Sequence, residues 1–128
     1  MKVASIQIPN SANAKNNLKA IEKGLALAAE SRADLALFPE CALTGFAARS
    51  DWSEDLMQHA FGKALKLCKK YRIGAVIPTS IRQNNSFYNG SIVVDTEGEL
   101  IEVLCKRGLT SATGDGTSTG SGTMTNPG

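Results

Sequence analysis

Residues 2 to 8, KVASIQI, alternate apolar and polar side chains and are rich in Val and Ile, which predicts a strand that Pro9 keeps from extending. From about Asn13 to Ser31 the period changes. Leu18, Ile21, Leu25 and Ala28 recur at spacings of three and four, with Lys15, Lys19, Glu22 and Lys23 on the other side, the pattern of a helix with one buried stripe. LALF, residues 35 to 38, is short and apolar on both faces, as a central strand under helices would be, and Pro39 ends it. Helical period returns over residues 53 to 72. Here Leu56 or Met57, Ala60 and Phe61, Ala64 and Leu65, Cys68 and Tyr71 form the stripe, Lys63, Lys66, Lys69 and Lys70 face solvent, and Gly74 lies just past the end.

IGAVIPTSI, residues 73 to 81, and FYNGSIVVD, residues 87 to 95, predict a third and a fourth strand joined by the turn-rich RQNNS. Asp95-Thr96-Glu97-Gly98 reads as a tight turn, Gly98 supplying its left-handed residue, into a fifth strand, ELIEVLCK. The order β-α-β-α-β-β-β predicts an α/β protein, a mixed sheet with helices packed on it. After Leu109 the composition shifts to TSATGDGTSTGSGTMTNPG, in which Met124 is the single large apolar side chain. Such a segment buries too little to offset its ordering entropy, so residues 1–109 are expected to form the domain and 110–128 a disordered tail. Its glycines do not make a phosphate loop: neither GxGxxG nor GxxxxGK[ST] occurs.

Composition narrows the function classes. A length of 128 residues fits one domain, and 42% apolar with 20% charged side chains is the balance of a globular protein. The net charge of +2 offers no basic field for nucleic acid. No apolar run approaches a membrane span and MKVASIQIPN lacks a signal peptide's apolar region, so neither a membrane nor secretion is expected and the chain reads as cytoplasmic. Cys41, Cys68 and Cys105 are far apart and lack metal-ligand spacing; reduced thiols and no metal are expected.

One residue is out of place in this pattern. Glu40 follows an apolar strand and a proline, where a carboxylate must be accommodated by a salt bridge, by solvent or by chemistry. Taken alone it is a solvated loop residue, and Lys106 beside Arg107 is a surface lysine ending an edge strand. A set of landmarks in order changes the weighting: MKVASIQ, the Asn17-Leu18 pair opening the first helix, FPE-x-x-x-TG over residues 38 to 45, Tyr88-Asn89, the D-x-x-G hairpin, and Lys106 followed by Arg107 and Leu109. Over residues 1 to about 110 the sequence resembles the amino-terminal half of the nitrilase, or carbon-nitrogen hydrolase, superfamily.

The resemblance implies the αββα sandwich of that superfamily, represented here by roughly its first half, and hydrolysis of an amide, nitrile or carbamoyl substrate through a Glu-Lys-Cys set, with no cofactor. Glu40 matches the glutamate and Lys106 the lysine. The roles are physically sound. A thiol is mostly protonated at neutral pH and needs a carboxylate to take its proton and return it to the departing amine. A lysine ammonium at a dry site stabilises the charge that gathers on the attacked group and holds a nearby carboxylate ionised. Phe46 and Trp52, near the loop after Glu40, are candidates to border the substrate pocket or to cap the core.

The nucleophile of that set has no match, because the resemblance puts it some tens of residues after the lysine and no cysteine follows Cys105. Cys41 adjoins Glu40, but neighbours on an extended chain point to opposite faces, and Cys68 and Cys105 read as packing residues. His59, off the helical stripe, reads as surface. The expectation is therefore a fragment, inactive alone, of a hydrolase whose relatives imply homo-oligomers. A second reading is a non-catalytic binding or regulatory piece that pairs with a full-length relative. A flavodoxin-like nucleotide binder, suggested by the β-α-β start, lacks its phosphate loop. With half the sandwich absent, Ile92, Val94, Ile101 and Val103 are expected to be partly exposed.

Overall fold

The computed structural model describes residues 1–9, 11, 13–45, 53–83, 86–106 and 123–125. They form β1 (Val3–Ser5), α1 (Ala14–Glu30), β2 (Leu35–Leu37), α2 (Glu54–Tyr71), β3 (Gly74–Gln83), β4 (Ser86–Val94), β5 (Leu100–Lys106) and β6 (Thr123–Thr125). The strands make one mixed sheet in the order β1-β2-β3-β4-β5-β6, the first three parallel and the rest joined antiparallel. The α/β class and the two helices are as expected. Regular pairing of the first strand stops at Ser5, although Ile6 still donates its N–H to the Leu37 carbonyl at 2.8 Å.

Both helices begin where a side chain accepts a free backbone N–H: Asn13 Oδ1 from Asn16 N at 2.9 Å, and Ser53 Oγ from Leu56 N at 3.0 Å. Glu54 and Asp55 in the first turn of α2, and Lys69 and Lys70 in its last, complement the helix dipole. The left-handed residue that ends α2 is Arg72, with φ 54°, rather than a glycine; Gly74 is already in β3, where a Cβ would approach the Val94 carbonyl to 3.2 Å. Gly98 does occupy the left-handed region, φ 78°, and its N–H closes the turn onto the Asp95 carbonyl at 3.0 Å.

The register sorts the described strand side chains onto two faces. One face carries Ala36 and Ala75, then Ile77 and Ile92, then Val94, and packs against Ile21, Leu25 and Ala28 of α1 and Met57, Ala60, Ala64 and Cys68 of α2 in one core. The other face carries Leu37, Val76 and Val93 in one cross-strand row and Pro78, Ser91 and Leu104 in the next. No described element lies over it, and Val3 and Leu37 remain 45% and 36% exposed.

This corrects one expectation. Ile92 and Val94 are fully buried beneath the helices, and the uncovered apolar row runs instead through Leu37, Val76 and Val93. Alternation was visible in the sequence, but which half of each strand faced the helices was set by pairing with β3. Ile101 is exposed and Val103 half-buried.

Within the stretch expected as a tail, Thr123–Thr125 pair with β5, Cys105 opposite Met124. The rest of 110–128 lies outside the described residues, as do Phe46 and Trp52. His59 is exposed on α2. Among the described residues no helix is long and apolar enough to cross a membrane, and no group of three or more His, Cys, Asp or Glu could hold a metal ion.

Candidate active site

The chain leaving β2 does not become a free loop. Phe38 N donates to the Val76 carbonyl at 3.1 Å and so stays beside β3, and Pro39 then ends the strand while its carbonyl accepts from Ala42 N at 3.1 Å. Cys41 takes a left-handed φ of 57°, and its carbonyl accepts from Gly45 N at 2.7 Å. The result is a tight turn carrying Glu40 on its outer side. Glu40 is exposed, whereas Cys41, Ala42, Leu43 and Thr44 directly after it are buried.

Those four buried residues are pegged from several directions. Leu43 N donates to the Pro78 carbonyl at 3.1 Å, and the Thr44 hydroxyl accepts from Ser80 N at 2.9 Å, both on β3. Asn17 of α1, 1% exposed, donates through Nδ2 to the Leu43 carbonyl and to the Ser11 carbonyl, each at 2.8 Å. The Cys41 thiol reaches Asn89 Oδ1 of β4 at 3.9 Å. Backbone and side-chain groups in a buried turn must find partners, and here α1, β3 and β4 provide them. Glu40 therefore stands at the start of a turn whose following residues are held in place, with its own side chain exposed.

Lys106 is the last residue of β5. β5 runs antiparallel to β4, which runs antiparallel to β3, so β5 points the same way as β2 and β3. The backbone of Lys106 therefore lies at the same rim as the turn bearing Glu40. The link is short in register: Gly90 stands opposite Cys105, so the antiparallel register sets Asn89, which contacts Cys41, opposite the strand position of Lys106. The Lys106 side chain lies outside the described residues. The Glu40 carboxylate makes no ion pair or hydrogen bond with a described residue.

The three thiols are all buried. Burial pushes Cys68 up to about 12, with the Asp95 carboxylate adding to it, and burial also raises Cys105. Cys41 is buried where Glu40 is exposed, and the backbone at Cys41 is a left-handed turn rather than the extended strand expected. Sequence reasoning assigned no role to Asn17, Thr44, Ser80 or Asn89. Three of them stand inside the ordered landmarks, and that was the available signal; Ser80 was marked by nothing.

The carboxyl ends of like-directed strands are where open α/β sheets usually form their ligand crevice. An exposed carboxylate on a fixed turn at such a rim can accept and return a proton.

The family model for carbon-nitrogen hydrolases matches residues 2–125. The fold is shared with a mutant of an amidase of the nitrilase superfamily from Nesterenkonia sp. AN1, at TM-score 0.76 and 21% identity, covering 83% of this chain and 42% of that one. A glutamine-dependent NAD(+) synthetase from Cytophaga hutchinsonii gives TM-score 0.74 at 16% identity over 87% of this chain and 20% of its own. The NitFhit protein of C. elegans gives TM-score 0.69 at 17% identity over 81% and 27%. No curated protein sequence matches. The chain thus spans less than half the length of these solved structures.

Proposed function

The chain belongs to the carbon-nitrogen hydrolase family, and on that premise we propose that it carries the acid–base and electrostatic half of a site that hydrolyses an amide or nitrile. Glu40 takes the proton from a cysteine nucleophile, and Lys106 stabilises the charge that develops on the oxygen or nitrogen of the attacked carbon. For an amide, the thiolate adds to the carbonyl carbon, the C–N bond breaks as Glu40 returns the proton to the amine, and a thioester remains. Water then adds with Glu40 again taking a proton, and the C–S bond breaks to release the acid. The observation that carries the reading is the common rim: Glu40 after β2 and Lys106 ending β5, on strands that point the same way.

On this reading the nucleophile is none of the three buried cysteines, and the 128-residue chain alone is expected not to turn over. Variants of the Nesterenkonia amidase carry covalent adducts at its active-site cysteine, which supports a thiol in this role. The test is a chimera in which residues 1–106 replace the matching part of the Nesterenkonia amidase. It should hydrolyse small amides, and Glu40→Gln should slow it by a factor on the order of 10²–10⁴. Undiminished turnover in that variant, or ammonia release by the 128-residue chain alone, would overturn the reading.

A second reading, a non-catalytic piece that pairs with an intact relative, is favoured by the uncovered row of Leu37, Val76 and Val93. Stable co-purification with a full-length relative supports it; separation of the two on a sizing column rejects it.

A further inference from the structure

On the helical side of the sheet, away from the rim, α1 and α2 border an open trough of about 360 Å³. Its walls follow a regular ladder. Glu22 of α1 meets Lys70 of α2 at 2.8 Å, a separation of 48 residues in the chain. The same offset pairs Lys15 with Lys63, Leu18 with Lys66, and Lys19 with Leu67, all of which line the trough. The helices run parallel and in step, so successive rungs lie along one groove for about seven residues, roughly 10 Å.

The charges on these rungs are unbalanced. Only the Glu22 rung sets opposite charges across the groove, and that carboxylate is already held by Lys70 Nζ and, at 2.7 Å, by the Tyr71 hydroxyl. Lys15, Lys19, Lys63 and Lys66 are exposed and make no ion pair with a described residue. Helix pairs held by surface charge put opposite signs across the contact, and like charges there repel. Half-buried Leu18 and Leu67 make the floor between them. Four unpaired ammoniums over an apolar floor match an anion with a hydrocarbon body, and the volume lies within the ~300–1,000 Å³ of small-molecule sites.

The geometry points to a binding site for a small phosphate monoester carrying an apolar group, its phosphate between Lys19 and Lys66 and its body on Leu18 and Leu67. Phosphate monoesters hold a charge of about −1.5 to −2 at neutral pH and three acceptor oxygens, enough to engage ammoniums from both helices at once. Lysine serves such ligands as a point charge, which suits a groove that fixes position by its floor rather than by a fork of donors. The site is independent of the proposed hydrolysis.

The test is titration of the full 128-residue chain with hexyl phosphate, inorganic phosphate and hexanol, followed by amide NMR shifts and by the thermal midpoint. Hexyl phosphate should saturate, shift amides confined to residues 15–22 and 63–70, and raise the midpoint. Inorganic phosphate should bind at least about tenfold more weakly for want of the hydrocarbon, and hexanol should give no saturable shift. Lys19→Gln with Lys66→Gln should weaken hexyl phosphate at least about tenfold, and Lys19→Glu should do the same while raising the thermal midpoint of the free chain. Equal affinity for inorganic phosphate, saturation by hexanol, shifts spread over the whole surface, or unchanged affinity in either lysine variant would each overturn the proposal.

Discussion

The Cys41 thiol donates to Asn89 Oδ1 across 3.9 Å, which fastens the turn after β2 onto β4, two strands away in the sheet. The sulfur beside the candidate base is thereby part of the frame. A thiol that must become a free thiolate to attack carbon is poorly placed as a buried donor.

Thiol chemistry should reflect that. At mildly alkaline pH the thiolate fraction of a group with a pKa of about 12 is on the order of 10⁻⁴, so Cys68 stays unreactive until the chain opens. Raised Cys105 and buried Cys41 should follow. Native chain treated with iodoacetamide is expected to remain unalkylated by mass spectrometry, and denatured chain to take up three groups. Rapid native labelling of any one cysteine would contradict the assignment of all three to packing.

Asn17 is buried and makes two hydrogen bonds of 2.8 Å, one of them to the Leu43 carbonyl of the turn after Glu40. Asn17→Ala leaves that carbonyl buried without its donor, which costs about 2–3 kcal/mol and loosens the turn. Urea denaturation should show the loss, and hydrogen exchange should quicken at Ala42 and Gly45 more than in β4.

Thr44 offers a sharper comparison, because its hydroxyl accepts from the buried N–H of Ser80 at 2.9 Å. Thr44→Val preserves shape but strands the donor, and should cost about 1–3 kcal/mol; Thr44→Ser keeps the acceptor and should lose about 1 kcal/mol for one methyl. A loss confined to Thr44→Ser, with Thr44→Val as stable as the parent by calorimetry, would mean that the methyl, not the hydrogen bond, holds the turn.

These residues mark the limit of what the sequence made legible. The two helical stripes and the Asp95–Gly98 turn were readable because each rests on a period or a local backbone requirement. The faces of β4 were not, since Ile92 and Val94 are assigned to the core only through their partners Ile77 and Ala75. Glu40 was conspicuous because its polarity breaks an apolar run. Asn17 and Ser80 were not, because their work is a contact with a segment distant in the chain, which leaves no local trace.

The Glu22 carboxyl is held below its usual range chiefly by the hydrogen bond from Lys70, then by that from Tyr71. A lowered folded pKa stabilises the native state above the unfolded value of 4.5 and ceases to do so as pH falls through the folded one. Glu22→Gln should therefore be less stable than the parent at neutral pH, and the gap should close on acidification below 4.5. Parallel urea midpoints across a pH series measure it. A gap that persists into strong acid would show that packing at this position, not charge, is responsible.

The apolar row that no described element covers should drive self-association. Sedimentation velocity is expected to show mass rising with concentration, and Leu37→Lys, at a position already 36% exposed, should shift the distribution toward monomer with little change in thermal midpoint. A monomer at every concentration would argue that the row is covered.

Each strand of this sheet lies beside the one that precedes it in the chain. No strand has to wait for a later one to be inserted between it and its neighbour, so the ribbon can lengthen edge by edge as translation proceeds, with each new loop closed over a short separation. In that order the turn of Glu40, which leans on β3 and β4, can form before β5 pairs, so the scaffold of the rim does not wait for the strand that ends in Lys106.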